Sequence, residues 1–287
     1  MILGLGYTTK PYSWAFKRIV ESCEKKGISW KVIDITHSWL KIGRNGKVSG
    51  AYKGFDYSKC DAILSRFGKK EHLDISAIFL EQLKLMGVPC TITPDSMRNA
   101  KNKYLAMLKW AEVGLKVPAS YLVYDEPVVN GIAPPYIIKT LQDSKGIGVL
   151  KVNSREELKP VVELVAKKMS EPACVQRFLK GVDVRAMVVD GKVIASVKKK
   201  NVKGFRNNFS QGGVMEQLKL TKEDREYAIK AAESLGMGIA GVDFLKTKNG
   251  NFMLEANVCP GWKGLQECTG VKVADYMVDY AKRIAKK

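Results

Sequence analysis

Two short apolar runs flank Asn249-Gly250 within residues 240–257, and no other feature constrains the fold of this chain as strongly. Asn-Gly readily supplies the two positive φ angles of a type I′ turn, so the segment is predicted to fold back as an antiparallel hairpin. Asp243 and Glu255 stand at nearly equal distances from that turn. Asn257 follows Glu255 by the two-residue strand repeat that keeps side chains on one face. Two carboxylates and an amide are therefore expected to converge. Hard oxygen ligands without His or Cys suit Mg²⁺, which takes one or two carboxylates and fills its shell with water and substrate phosphates. The plain alternative is a hairpin whose charges face solvent. Against it, Asp243 follows Gly-Val and Glu255 follows Phe-Met-Leu, so both acids emerge from segments that read as buried, where an unpaired carboxylate is costly.

The chain has 287 residues, a length that suits two or three linked units rather than one small core. Lys and Arg outnumber Asp and Glu by 48 to 29, a formal charge of +19 spread along the chain. Such an excess attracts anions over long range, and nucleic acid, phosphorylated metabolites and acidic peptides all qualify. Cys23, Cys60, Cys90, Cys174, Cys259 and Cys268 are scattered without a C-x-x-C pair and mostly in apolar contexts, which reads as buried free thiols. No apolar run approaches the roughly twenty residues of a membrane span, and the start lacks a signal peptide's charged head and long apolar middle. A cytoplasmic location without membrane contact is expected.

Residues 1–94 read as alternating strand and helix. Strands are expected at 2–6, 30–35, 62–66 and 88–92 and helices at 13–26 and 75–86, a pattern that means a parallel, helix-covered sheet. Residues 43–54, rich in Gly and Lys, read as a polar excursion between elements. Thr93-Pro94-Asp95 marks a boundary. A helix beginning near Asn102 should carry Leu105, Leu108 and Ala111 on one side and end at Gly114, with Lys103 in its first turn. A cation there opposes the helix dipole and points to an anionic partner, although a solvated lysine is the ordinary reading. Residues 134–139 form a strand ending in Lys139, followed by a loop containing Gly146 and Gly148. Glycines joining two strands let main-chain N–H groups approach a phosphate, and the lysine supplies countercharge; a plain hairpin is the alternative. Further on lie a helix at 156–170, a strand at 173–179 and a hairpin about Asp190-Gly191. Asp183 and Arg185 share a strand face. The lysine run 196–206 reads as a solvated face or as a loop closing on an anion. Helices at 221–235 and 273–285 read as cover for the sheet.

Taken in order, Asn102-Lys103, Ile138-Lys139 with Gly146-Ile147-Gly148-Val149, Val175-Gln176, Gly181-Val182-Asp183-Val184-Arg185, Phe205-Arg206-Asn207-Asn208, Gly212-Gly213, Gly241-Val242-Asp243, Glu255-Ala256-Asn257 and Pro260-Gly261 resemble the ATP-grasp ligases, the RimK-type amino-acid ligases most closely. The resemblance implies an ATP-grasp fold of mixed α/β and α+β class. It implies an N-terminal α/β domain over 1–94, a central subdomain over 95–172, and a C-terminal subdomain over 173–287 carrying the metal site. Lys103, Lys139 and Gly146 would hold the phosphates of ATP, and the strand Gln176, Arg177, Phe178 and Leu179 would read adenine through its backbone. Asp183 would bind ribose. Asp243, Glu255 and Asn257 would carry two Mg²⁺ ions, replaceable by Mn²⁺. Arg185, Arg206 and Asn208 would face the transferred phosphoryl group and the acid substrate, with Asn207 beside the nucleotide.

The implied reaction is an ATP-dependent amide ligation through an acyl-phosphate. It would join an amino acid, glutamate favoured, to an acidic metabolite or to a protein's C-terminal carboxylate, in a homodimer or homotetramer. No side-chain nucleophile is required, which agrees with a chain whose only histidines are His37 and His72. Three departures from the family pattern stand out. The loop after Lys139 reads Gln142-Asp143-Ser144-Lys145-Gly146 where the family often has a Glu-Gly start, Arg177 stands where an acid is usual, and Val258-Cys259-Pro260 replaces a commoner Ala or Ser before the proline, in a segment near the amine acceptor in relatives. Two rivals are a small-molecule kinase on the same fold and a basic nucleic-acid-binding protein with a vestigial nucleotide site. Non-specific, salt-sensitive binding to nucleic acid is expected of any chain this basic.

Overall fold

The computed structural model describes residues 1–7, 13–67, 73–124, 129–141, 148–169, 171–200 and 214–285. The chain opens with β1 (Ile2–Tyr7), α1 (Trp14–Lys25) and β2 (Ser29–Asp34). It continues through β3 (Trp39–Ile42), β4 (Val48–Tyr52), β5 (Phe55–Asp56), β6 (Ala62–Arg66) and α2 (Leu73–Leu85). β1 pairs in parallel with both β2 and β6, which is the expected parallel sheet. Two expectations need correction. Residues 43–54 are no excursion but part of an antiparallel meander, β3-β4-β5. Its turns fall at Gly46 (φ 75°) and at Lys53-Gly54 (φ 47° and 77°), so the glycines that read as loop are hairpin turns. The fourth strand shrinks to one parallel bridge between Ile63 and Cys90. Pro89 has no N–H for a ladder, and Thr93 already caps the next helix.

That helix is α3 (Pro94–Lys101), and Asn102 then caps α4 (Lys103–Glu112), its Oδ1 accepting from the N–H of Tyr104 and Leu105 at 3.0 Å. The buried face of α4 is Ala106, Met107 and Trp110, whereas Leu108 is 54% exposed and Ala111 lies outward. The face expected from Leu105, Leu108 and Ala111 is therefore rotated. Trp110 decides it: the indole is the largest apolar body on the helix, and its Nε1 donates to the Ala231 carbonyl at 3.1 Å.

A second, antiparallel sheet contains β7 (Ser120–Val123), β8 (Tyr136–Lys139), β9 (Val149–Val152) and, after α5 (Leu158–Met169), β10 (Ala173–Arg177), in the order β7-β10-β8-β9. Leu158, Val162 and Val165 of α5 pack on Ile138 and Val175. β10 lies within this sheet, although the expected division at 172/173 assigns it to the last unit.

The third sheet has the order β13-β12-β11-β14-β15. Its strands are β11 (Val182–Val189), β12 (Lys192–Lys200), β13 (Val214–Gln217), β14 (Ile239–Thr247) and β15 (Gly250–Asn257), with α6 (Lys222–Glu233) before β14, and α7 (Lys263–Thr269) and α8 (Val273–Ile284) at the end. Alternation sorts its two faces. Val184, Ala186 and Val188 join Ala228, Ala231 and Ala232 of α6 in one core. On the other face, Met187, Val189 and Ile239 meet Met277 and Val278 of α8, together with Leu3 and Leu5 of β1. α8 thus joins the last sheet to the first. That second face is apolar at one end only; at the other end the same alternation brings up Asp183, Arg185 and Asp243. Residues 196–200 of the lysine run belong to β12, which corrects the loop reading for them; 201–206 lie outside the described residues. Among the described residues, no helix is long and apolar enough to cross a membrane.

Candidate nucleotide and metal site

The expected hairpin forms, but its turn is not type I′. β14 and β15 close at Thr247 opposite Gly250, and the positive φ falls on Gly250 alone (105°). Asn249 instead donates its N–H to Thr247 Oγ1 at 3.0 Å. The type I′ pair is Asp190-Gly191, with φ of 52° and 67° between Val189 and Lys192.

The hairpin's second irregularity builds the site. From the turn inward the pairs run Thr247–Gly250, Lys246–Asn251, Leu245–Phe252 and Phe244–Met253, after which the register slips by one. Leu254 is the unpaired residue of a bulge, and Asp243 consequently faces Glu255. Without the slip Asp243 would oppose Leu254, and Glu255 would point to the other side of the sheet. Asn257 follows opposite Gly241, where an added Cβ would stand 2.8 Å from Pro260 Cβ, so the loop after β15 needs glycine there to pack down. Two carboxylates directly opposite one another repel, and the pair holds only with cations beside it.

Those cations come from the neighbouring strands. Arg185, the register partner of Asp243 on β11, grips it through both oxygens, Nε to Oδ1 at 2.7 Å and Nη2 to Oδ2 at 2.6 Å. Lys199 on β12 reaches Asp243 Oδ2 at 3.1 Å and Asp183 Oδ1 at 2.9 Å, with its side chain 5% exposed. Burial alone would raise the Asp243 carboxyl, but Arg185 and then Lys199 outweigh it and hold the group below the usual carboxylate range. For Asp183 the balance reverses. Burial raises its carboxyl, Lys199 only partly offsets this, and the Asp243 charge adds to the rise. The Lys199 ammonium loses stability by burial yet is raised overall by Asp243 and Asp183.

Lys139, at the end of β8, faces this cluster from the second sheet. Burial lowers its ammonium, while the negative charges of Glu255 and Asp183 pull it partly back. Lys101, at the end of α3, is lowered by burial too, offset by Cys259 and Glu255. Lys103 turns back over the chain after β8, donating to the carbonyls of Thr140 at 3.1 Å and Leu141 at 3.4 Å. Gln176 is buried, its Nε2 donating to Met107 Sδ at 2.8 Å, so its side chain is engaged within the core. The N–H of Arg177 goes to the Ala119 carbonyl at 2.8 Å and that of Phe178 to the Pro135 carbonyl at 3.1 Å. Leu179 follows, half-buried.

The structure thus gathers Lys139, Asp183, Arg185, Asp243 and Glu255, with Asn257 one register step away. Gly146, Arg206, Asn207 and Asn208 lie outside the described residues. Lys199 and Lys101 were not singled out from the sequence. Lys199 sits second in a Lys-Lys-Lys run, and strand alternation is the signal that separates it: Lys198 and Lys200 point outward to share Glu216 at 2.7 and 2.5 Å, while Lys199 points in.

Among the described residues no three His, Cys, Asp or Glu side chains gather as a metal cluster. The donor set is two opposed carboxylates and an amide, all oxygen, which fits Mg²⁺ and not Zn²⁺.

A family model described as the RimK-like ATP-grasp domain matches residues 100–281, and one described as the RimK PreATP-grasp domain matches residues 6–97. A protein of Aliivibrio fischeri (strain MJ11), named "Probable alpha-L-glutamate ligase", is 31% identical over 281 residues, covering 95% of this chain and 92% of its own. One of the same name from Trichodesmium erythraeum (strain IMS101) is 29% identical over 285 residues, covering 96% of this chain and 94% of its own. The solved structure of the ATP-grasp ligase PsnB, with a phosphomimetic variant of its minimal precursor, Mg and ADP, superposes with a TM-score of 0.77 at 18% identity, covering 99% of this chain and 98% of that one.

Proposed function

Because the chain belongs to the RimK-like ATP-grasp family of ATP-dependent ligases, we propose that it joins an amino acid, glutamate favoured, to a carboxylic acid by way of an acyl-phosphate. The acid is an acidic metabolite or a peptide carboxylate. The observation that carries the reading is the register slip that sets Glu255 opposite Asp243 beneath Arg185 and Lys199. The working division is 1–94, 95–172 and 173–287, with the nucleotide between the last two units and a homodimer or homotetramer as the assembly.

Asp243, Glu255 and Asn257 would hold Mg²⁺, or Mn²⁺ in its place. The metal would supply charge neutralisation on the phosphates, drawing electron density from the oxygens of the transferred group. Lys139 and Lys103 bind the phosphates. Partial burial serves Lys139 here, because a poorly solvated ammonium gains more from an anion than one already in water. Arg185 is fixed by its two bonds to Asp243, so its outer edge is preorganised toward charge that builds in the transition state. Arg206 and Asn208 complete that set and Asn207 lies beside the nucleotide. Asp183 accepts from a ribose hydroxyl, and the backbone from Gln176 to Leu179 lines adenine. The amine then displaces phosphate from the activated carboxyl, which requires positioning rather than a side-chain nucleophile.

The direct test is incubation with ATP, Mg²⁺, glutamate and candidate acids, followed by phosphate release and product mass. An amide with equimolar phosphate is expected; a phosphorylated alcohol without amide would make the protein a kinase. Glu255→Gln separates a metal role from a structural one, because Glu255 makes no ion pair among the described residues. Metal-dependent turnover should fall by about 100-fold or more, while urea unfolding should stay within roughly 0.5 kcal/mol of wild type. Unchanged turnover would remove Glu255 from the metal site.

A pH prediction follows from Lys139. With its ammonium lowered by burial, the free enzyme loses this charge at a lower pH than an ordinary lysine would. The alkaline limb of kcat/KM for ATP, which reports the free enzyme, should accordingly come early. Lys139→Arg, always charged, should move that limb upward even if the maximum rate drops. An unmoved limb would show that Lys139 does not set it.

A further inference from the structure

The first sheet has the order β2-β1-β6, with the Cys90 bridge beyond β6. The chain leaves β1 toward β2 on one side and later returns to β6 on the other, so the strand order reverses between β1 and β6. In open parallel sheets ligands bind outside the carboxyl ends of the strands at such a reversal. The last residues of these two strands are Tyr7 and Arg66, and they are register partners.

Arg66 is built as an anion receptor. Its guanidinium lies 4.5 Å from the centroid of the Trp262 ring, and Nη1 donates to the Pro260 carbonyl at 3.2 Å. Stacking and one neutral hydrogen bond hold the planar fork in place while leaving other N–H groups to give. The side chain is half-buried, and no carboxylate lies within ion-pair distance of it among the described residues. Tyr7 Oη and Trp262 Nε1 are both buried and have no hydrogen-bond partner among the described residues.

The position ties Arg66 to the chemistry. Pro260, which holds the guanidinium, packs on Gly241, and Gly241 is the register partner of Asn257. Arg66 therefore hangs from the first sheet beside the end of the hairpin that carries the oxygen donors, while Lys103 and Lys139, which serve the phosphates, belong to other elements. A planar fork matches a carboxylate through two parallel bonds.

We propose that Arg66 anchors the α-carboxylate of the incoming amino acid, presenting its amine to the activated acid; this rests on the ligase reading above. The N-terminal unit then supplies amine specificity directly and is more than a cover for the other two.

The test is calorimetric titration of full-length wild type, Arg66→Gln and Arg66→Lys, each saturated with AMP-PNP and Mg²⁺. The probes are L-glutamate, L-glutamine, which keeps the α-carboxylate and lacks the γ, and 4-aminobutyrate, which does the reverse. Arg66→Gln should weaken glutamate and glutamine alike by roughly 10- to 100-fold, leave 4-aminobutyrate as weak as in wild type, and leave AMP-PNP affinity unchanged. Arg66→Lys should recover part of the loss and preserves the charge if the Gln variant fails to fold. Binding of glutamate or glutamine should also change Trp fluorescence in wild type, because Trp262 lies beneath the guanidinium. Wild-type affinity for glutamate in Arg66→Gln, a loss confined to 4-aminobutyrate, or no glutamate or glutamine binding by a wild type that binds AMP-PNP would each overturn the proposal and leave the ligase reading standing. Failure of wild type to bind AMP-PNP with Mg²⁺ would remove that reading, while Arg66-dependent glutamate binding would still support the anchor.

Discussion

Replacing Asp243 with Asn should cut ATP turnover sharply and, unlike Glu255→Gln, should also destabilise the fold by about 3–5 kcal/mol, the cost of breaking a buried ion pair from one side. Arg185 and Lys199 both point at the Asp243 carboxylate, whose side chain is 5% exposed. Without it, Lys199 keeps only Asp183 and Arg185 keeps Glu255 and Asp183 as remaining countercharges. Turnover should drop by on the order of 100-fold or more, since the oxygen proposed to hold the metal and the brace on Arg185 would be lost together. Asp243 has its folded carboxyl held below its unfolded value by Arg185 and Lys199. Its contribution is therefore fully present above the unfolded carboxylate range and lost as pH falls through the folded value. The stability gap between wild type and Asp243→Asn should be widest near neutral pH and narrow in acid, as measured by urea unfolding across pH. A gap that widens in acid would contradict this charge assignment. If the variant kept wild-type turnover, the site would have to be sought elsewhere.

Which parts of this arrangement could be read beforehand depends on whether the signal is local. The hairpin was legible because Asn249-Gly250 and its apolar flanks are contiguous. Its turn type was not. Asn249-Gly250 and Asp190-Gly191 look alike as dipeptides, yet only the second takes the type I′ form. The difference lies in register: Thr247 pairs with Gly250, which makes Lys248-Asn249 the loop, whereas Val189 pairs with Lys192 around Asp190-Gly191. The bulge at Leu254 was hidden for the same reason, and it is what converts near-equal spacing from the turn into true opposition of Asp243 and Glu255. Helix α4 was found by its cap, but the side it buries is fixed by Trp110 reaching the Ala231 carbonyl 121 residues away. The meander at residues 39–56 is concealed because Gly, Lys and Asn suit a loop as well as a hairpin turn. Trp39 to Ile42 and Val48 to Tyr52 around Asn45-Gly46 carry the same hairpin signal as Asn249-Gly250 and its flanks.

The lysine that composition conceals gives the second large effect. Lys199→Met should destabilise the protein by about 3–5 kcal/mol near neutral pH, because it strands Asp183 and Asp243 as neighbouring buried acids with only Arg185 to offset them. Methionine keeps the apolar length of the stem, so the loss measures charge rather than volume. Asp183 already has its carboxyl raised by burial in the wild type, and removing its ammonium partner raises it further. A carboxyl with a raised folded value contributes stability below its unfolded value and forfeits it as pH rises through the folded value. The defect of Lys199→Met should thus be smallest in acid and grow toward neutrality, whereas a loss of packing would not change with pH. Adding Asp183→Asn should restore part of the stability by removing the stranded charge, giving a coupling energy of roughly 0.5–3 kcal/mol in the double-mutant cycle. Lys198→Met and Lys200→Met, whose ammoniums share Glu216 near the surface, should each shift stability by no more than about 1 kcal/mol. Equal effects at all three lysines would mean that strand alternation does not select Lys199, and that the run behaves as the solvated face it resembles.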